Sequence, residues 1–385
     1  ECNCADMKTM ESHLTAEISV SAVRHNLRLL RSRVGTDVRI CPAVKADCYG
    51  HGLEILWPVI AEEADAMAVA SAAEAIELRE LGYGGELLMF FTVFSLPGGD
   101  ASHCLLKELM SRGVTLTIVS SVGAETAGRA AGELGITAPV HIKIDTGMGR
   151  SGVPHNLAPD LLKRVRCERS LELAGLYTHF ATADEADKSY ALAQLDNFRG
   201  AVDACRGNED MTIHAANSAA AIDLPVSHFD MIRPGIAVYG YQPSDQMHNV
   251  LPLRPCLRLT SHLMQIKKLP AGSSVGYGLK HTFDRSVRVG LVPVGYADGY
   301  SRRFSGKASM RIAGVDVPVC GTVSMDQVIV DLTEVPSARI GDEVEVISPD
   351  SSASHSVENL ARLAGTIPYE ITCGLGGRIG HTAVE

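Results

Sequence analysis

The chain has 385 residues, with 35 Lys and Arg against 45 Asp and Glu, and its formal net charge of -10 at pH 7 leaves no basic excess for holding nucleic acid or an anionic membrane surface. Its 46% hydrophobic content is ample for a packed core, and the length calls for one large barrel or two domains. Those values suit a soluble enzyme acting on small molecules.

Residues 1–11 show neither an initiator Met nor an apolar signal core, so they read as a tag remnant or trimmed terminus, and a cytoplasmic location is expected. The ten cysteines form no Cys-x-x-Cys pair and no Cys/His group at zinc spacing, so reduced thiols are expected, with no disulfide and no metal. The longest apolar stretch, Leu87 to Leu96, is far shorter than the ~20 residues a membrane span needs.

His13–Val20 alternates apolar and polar residues, as a half-buried strand does, and is open to pairing with a later β region or joining the elements that follow. From Ser21 to Gly240, short runs apolar on both faces alternate with segments rich in Ala, Leu and Glu. The eight runs are Ile40–Lys45, Ala66–Ala70, Glu86–Phe91, Thr115–Val119, Val140–Asp145, Leu173–His179, Thr212–His214 and Met231–Val238. Segments such as Ala72–Leu81, Gly123–Leu134 and Glu185–Cys205 carry helical spacing. Eight strand-helix units with strands buried on both faces predict an α/β fold with an N-terminal TIM (β/α)8 barrel, taken as residues 12–250. After Leu251 the pattern changes to alternating runs at Ser286–Val294, Met310–Val319 and Val328–Leu332, which predicts a mostly antiparallel C-terminal β domain over 251–385 with one late helix at Val357–Ala364.

Barrel chemistry gathers where strands end. Those ends carry Lys45, then Lys143, Asp145 and Arg150, then His179, then Asn217 and Ser218, and finally Arg233. Asn217-Ser218 can start a helix, and Gly235 lets backbone approach an anion closely, so a phosphate can be held there. A reactive lysine opposite a phosphate site suggests pyridoxal 5'-phosphate, held as a Schiff base. Each piece also has an ordinary reading: a solvated lysine, a plain helix cap, a glycine bulge, a core histidine.

Taken together, Ala43–Gly52, Lys143–Gly152, Tyr177–Glu185, His214–Ser218, Ile232–Gly240, Val275–Gly278, Val294–Tyr300, Ser324–Gln327 and Ile367–Glu370 make a chain that resembles the alanine racemases, a barrel-type family of pyridoxal-phosphate enzymes. The matching stretches follow the family's order from near residue 13 to the C-terminus. The resemblance implies that Lys45 holds the cofactor and exchanges the substrate Cα proton on one face, with Tyr277 as the base on the other. Inverting a stereocentre by deprotonation requires proton donors on opposite faces. Tyr277 would lie in a hydrogen-bonded chain with His179 and Arg233. Arg233 would face the pyridine nitrogen, where a guanidinium can only donate.

The same resemblance places Arg150 near the cofactor's phenolic oxygen and the substrate carboxylate, braced by Lys143, which is carbamylated in many members. Tyr49, Asn217, Ser218, Gly235, Ile236 and Tyr369 would hold the cofactor, chiefly its phosphate. Met325, beside Asp326, would reach the substrate carboxylate through its backbone, and Asp184, Tyr296, Arg302, Ile367 and Tyr369 would line the access route. Tyr277 and Met325 would enter from the second subunit of a head-to-tail homodimer with shared sites. The implied activity is interconversion of L- and D-alanine for cell-wall peptidoglycan.

Val275-Gly-Tyr-Gly has Gly where many members have Ser, and Cys320-Gly-Thr-Val is a loose version of its segment. Serine and broad-specificity amino-acid racemases share the scaffold and stay open as alternatives. An amino-acid decarboxylase of the same architecture would typically have Gly-Pro-x-Cys, which is absent, and a non-catalytic pyridoxal-phosphate-binding protein of the single-barrel type would lack the β domain.

Overall fold

The computed structural model describes residues 13–92, 100–205 and 210–385; the terminus read as a tag remnant, with Cys2 and Cys4, lies outside them. The alternating run at the start of the chain belongs to the β domain. Strand β1 (Thr15–Ser19) buries Ala16 and Ile18 and pairs antiparallel with Leu257–His262 and parallel with Gly380–Val384. Directly after it, the Ser19 hydroxyl accepts the Ala22 N–H at 3.2 Å and starts the helix Val20–Val34.

Eight parallel strands form the barrel among the described residues: β2 (Arg39–Ile40), β3 (Met67–Val69), β4 (Leu87–Thr92), β5 (Val114–Ile118), β6 (Ala138–Asp145), β8 (Leu171–Tyr177), β9 (Thr212–His214) and β10 (Met231–Ile232). The two-residue β7 (Val153–Pro154) sits beside β6. Strand order is β2-β10-β9-β8-β6-β5-β4-β3. The ring closes through a bridge between Ala43 and Ala68, where the Val44 N–H donates to the Ala68 carbonyl and the Ala68 N–H to the Pro42 carbonyl, both at 2.8 Å.

Two strands differ from expectation. Regular pairing of the first ends at Ile40; Pro42 has no N–H to offer, although the Cys41 and Ala43 N–H groups still donate to the Ile232 and Pro234 carbonyls at 2.9 and 2.8 Å. The eighth was expected to run to Val238, but after Met231–Ile232 it meets Pro234 and Gly235 and turns into a 3-10 segment at Ile236–Tyr239. Both breaks fall at the barrel mouth and turn backbone toward the cavity described below.

The β domain adds β11 (Leu257–His262), β12 (Gln265–Leu269), a small hairpin of β13 (Ser274–Val275) and β14 (His281–Thr282), β15 (Val287–Val292), β16 (Ser309–Ile312), β17 (Val315–Cys320), β18 (Val328–Asp331), β19 (Glu343–Ile347) and β20 (Gly380–Val384). Its nine-stranded sheet runs β12-β15-β18-β17-β16-β19-β11-β1-β20, antiparallel throughout except for β1 against β20. The helix Val357–Ala364 is present as expected, but a second, Pro368–Cys373, is not foreseen by periodicity because six residues are too few to show a face. One apolar core runs through both parts, joining Leu27 of the first helix to Leu257 and Ile371. Among the described residues, no helix is long and apolar enough to cross a membrane.

Candidate active site

Lys45 stands where the first barrel strand ends, and the chain leaves it through a left-handed turn. Ala46, Asp47, Cys48 and Tyr49 all have φ between 51° and 57°. For L-residues this conformation costs about 1–2 kcal/mol each. Tertiary contacts offset it: the Ala46 N–H donates to Glu74 Oε1 at 2.8 Å, the Leu53 N–H to Asp47 Oδ1 at 2.5 Å, and Cys48 and Tyr49 are buried. Gly50 completes the turn at φ 81°, so close to the Thr372 carbonyl that a Cβ would lie 2.1 Å from its oxygen. The unforeseen helix Pro368–Cys373 thus braces the Lys45 turn from the β domain.

Glu74 has no place in the sequence reading and serves the site throughout. Its other carboxylate oxygen accepts the Ala70 and Ser71 N–H groups at 2.7 and 2.9 Å, while Ser71 caps its helix in return. The signal for it was there, in the capping-box pattern Ser71-x-x-Glu74.

A cavity of about 790 Å³ opens at this end of the barrel and is lined by Lys45, Tyr49, Lys143, Arg150, His179, Asn217, Ser218, Arg233, Gly235 and Tyr369, together with Glu74, Tyr177 and Cys373. The expected barrel residues therefore converge. Four cations face a lining in which Glu74 is the acidic residue. Burial, reinforced by Arg150, lowers the Lys45 amine below its ordinary value; burial with Arg150 and Arg233 pushes Lys143 down to about 8. His179 is held well below the usual imidazole range by burial and then by Arg233. Such a cavity suits an anion.

Arg233, only 4% exposed, is pushed down by burial to about 10 and still carries its charge at neutral pH. It donates to His214 Nδ1 at 2.8 Å and to the carbonyls of Thr178 and Ala215 at 2.6 and 3.1 Å, with its guanidinium 5.1 Å from the Tyr177 ring centre. The Tyr177 hydroxyl in turn bonds Thr117 at 2.9 Å, and its ring stacks on His214. Tyr177 ends β8, and its aromatic face under Arg233 and Lys143 is a contact that sequence spacing does not reveal.

The anion cradle is built from three residues far apart in sequence. Ser218 Oγ accepts the Gly235 and Ala237 N–H groups at 2.8 and 3.4 Å, which leaves its own O–H free to donate. A Cβ on Gly235 would lie 2.3 Å from the Tyr49 hydroxyl oxygen, so only bare backbone fits against that phenol. The cradle fits a phosphate and would be closed by any side chain at 235. Asn217 lines the cavity, but its Oδ1 is used in capping the Ala220 N–H at 3.0 Å. Ile236 is fully buried and does not line the cavity.

Apart from Tyr369, the β-domain residues singled out from the sequence do not line the cavity of a single chain. Tyr277 is 70% exposed, Met325 52%, Ile367 53% and Tyr296 44%, and Arg302 is exposed too. Tyr277 rides on a tight turn between Gly276 and Gly278, each at φ 74°, and its carbonyl accepts the Thr322 hydroxyl at 2.9 Å. Asp184 is half-buried and acts on Tyr369 electrostatically without lining the cavity.

The pattern described as "Alanine racemase, N-terminal domain" matches residues 18–243, and "Alanine racemase, C-terminal domain" matches 256–383. The chain belongs to the alanine racemase family. That membership makes it an amino-acid racemase, and the barrel followed by a largely antiparallel β domain is the architecture expected of it. An alanine racemase of Desulfovibrio desulfuricans is 38% identical over 98% of this chain and 100% of its own length. Among solved structures, an alanine racemase of Clostridium difficile superposes with a TM-score of 0.89 at 33% identity, covering 97% of this chain and 96% of that one. The alanine racemase from D-cycloserine-producing Streptomyces lavendulae gives 0.88 at 33% identity, with 97% of each chain covered.

Proposed function

We propose that this protein interconverts L- and D-alanine with pyridoxal 5'-phosphate, using Lys45 and Tyr277 as bases on opposite faces of the substrate Cα. The observation that carries the reading is the convergence of a lysine of lowered pKa with a built anion cradle in one cationic cavity. When bound, pyridoxal phosphate supplies the electron sink that lets an amino-acid Cα–H ionise near neutral pH. The Ser218 and Tyr49 hydroxyls would hold the phosphate, Gly235 leaving room for it by having no side chain, with Tyr369 and the end of the Asn217 cap beside them. Lys45, its ammonium destabilised by burial, would be the residue that holds the cofactor, and its amine would move the Cα proton on its own face.

Arg233, a guanidinium that can only donate, would face the pyridine nitrogen and so would favour its unprotonated form. Arg150 pairs with the substrate carboxylate. Lys143, with an amine near 8, has the neutral fraction that carbamylation requires, and its carbamate would brace Arg150. Tyr277 and Met325 come from a second copy in a head-to-tail dimer, a reading supported by the exposed Tyr277, Leu279, Met325 and Ile367 on the β domain. Asp184, Tyr296, Arg302 and Ile367 border the access route of that dimer. Alanine is favoured over serine because the curated relatives carry that name. A cytoplasmic enzyme supplying D-alanine to peptidoglycan fits this reading.

The direct test incubates the protein with L-alanine in D₂O and separates the products by chiral chromatography and mass spectrometry. Deuterated D-alanine is expected; unchanged L-alanine from protein carrying the bound chromophore would overturn the assignment. Lys45→Ala should lose the absorbance of lysine-linked cofactor.

A further inference from the structure

The loop that carries Arg150 is fastened at its ends by its own strand. Asp145 Oδ1 accepts the Gly147 and Gly149 N–H groups at 3.0 and 3.1 Å, and β7 returns beside β6 with Val153 opposite Ile144. Gly152 lies so close that a Cβ would meet the Asp145 nitrogen at 2.5 Å. Between these points, the back of the loop faces a cleft of about 420 Å³ instead of close-packed side chains. What crosses to the loop there is polar and comes from one helix, Ser189–Cys205.

Tyr190, Gln194 and Asn197 are spaced by four and three residues and so share a face of that helix. The Tyr190 hydroxyl donates to the Gly147 carbonyl at 2.7 Å, Gln194 Nε2 to Thr146 Oγ1 at 3.4 Å, and Asn197 Nδ2 to the Thr146 carbonyl at 3.3 Å. Gln194, 1% exposed, also donates to the His179 carbonyl at 3.2 Å and accepts the Ala181 N–H at 2.9 Å. It therefore ties the Arg150 loop to the strand end that presents His179. A buried amide is retained in a core only where its hydrogen bonds are met, and these are met by the backbone of His179 and Ala181 on one side and by the Thr146 hydroxyl of the Arg150 loop on the other.

We propose that Tyr190, Gln194 and Asn197 form a clamp of positioning residues that sets Arg150 for the substrate carboxylate, with Gln194 coupling it to His179. The proposal rests on the reading of Arg150 as the carboxylate partner. The test measures KM and kcat for alanine in the holoenzyme for Tyr190→Phe, Gln194→Met, Arg150→Ala and the Tyr190→Phe/Arg150→Ala double variant, with cofactor titration and thermal melts alongside. Tyr190→Phe removes one bond at a half-exposed site and is expected to raise KM about fivefold, leaving kcat within about twofold and cofactor affinity unchanged. Gln194→Met is expected to raise KM further; if it fails to fold, Tyr190→Phe decides.

In the Arg150→Ala background, Tyr190→Phe should add almost nothing, because its effect passes through the missing guanidinium. An unchanged KM in Tyr190→Phe, or a factor that multiplies in full onto Arg150→Ala, overturns the clamp. An Arg150→Ala enzyme with unaltered KM would instead sink the reading of Arg150, a distinguishable result.

Discussion

Arg233 donates to Nδ1 of His214 at 2.8 Å, and that bond determines the proton positions behind the cavity floor. With Nδ1 accepting, neutral His214 carries its proton on Nε2 and donates it to His141 Nδ1 at 2.9 Å. Burial and the Arg233 charge keep both rings neutral, with His141 lowered to about 3. Arg233 is thus held by neutral acceptors and keeps its full charge facing the cavity.

Replacing His214 with Leu removes one acceptor from a buried guanidinium and a stacking partner from Tyr177. The expected cost is about 1–3 kcal/mol of stability, seen as a lowered urea midpoint. An unchanged midpoint would mean that the chain of bonds adds nothing to the fold.

Lys143 gives a pH signature. Its amine is lowered in the folded chain from 10.5 to about 8, so between these values the unfolded chain binds more protons than the folded one. Stability of the cofactor-free protein should therefore rise with pH from about 8 toward 10, the burial penalty being fully present below that window. Urea melts at several pH values should show this rise in the parent and a shallower one in Lys143→Met, the remainder coming from Lys45, whose amine is lowered as well.

At Gly50, an added methyl would meet backbone, with no flexible side chain to give way, and φ 81° already disfavours an L-residue. Gly50→Ala should destabilise the protein by about 2 kcal/mol or more and loosen the bracing of the Lys45 turn. Hydrogen exchange of the Pro368–Cys373 amides would register the loosening; unaltered protection there would contradict the brace.

For Tyr277→Phe, the cofactor spectrum should survive while Cα exchange slows far more from the L-isomer than from the D-isomer. Deuterium wash-in measured separately on each enantiomer distinguishes this from equal slowing, which would remove the assignment of one base to each face.

Much of the fold was legible because it rests on local period. Runs apolar on both faces gave the barrel strands, and Val357–Ala364 carried a clear helical stripe. The two strands that end earlier than expected do so near Pro42 and Pro234: past the first, single bonds to both neighbouring strands continue without a regular ladder, and past the second the chain turns into a 3-10 segment. The short helix at Pro368 lacked the length to show a face. Within the site, Lys45, Lys143, His179, Ser218 and Arg233 could be found from their place at strand ends; Glu74 showed only as half of a capping box, its bond to the Ala46 N–H being long-range, and Gln194 not at all, because it acts on other segments.

The amino-acid sequence alone decided the order of strand and helix, the residues at the barrel mouth and the family, since those are properties of neighbours along the chain and of motif order. Only the tertiary structure decided that β1 joins the β domain, that the residues after Lys45 turn left-handed, and that Ser218, Gly235 and Tyr49 form one cradle. The reason is physical: a left-handed turn of non-glycine residues is locally unfavourable, and bare backbone beside a phenol is useful only when residues nearly two hundred positions apart are packed together. Such arrangements are stabilised by contacts that no local pattern encodes.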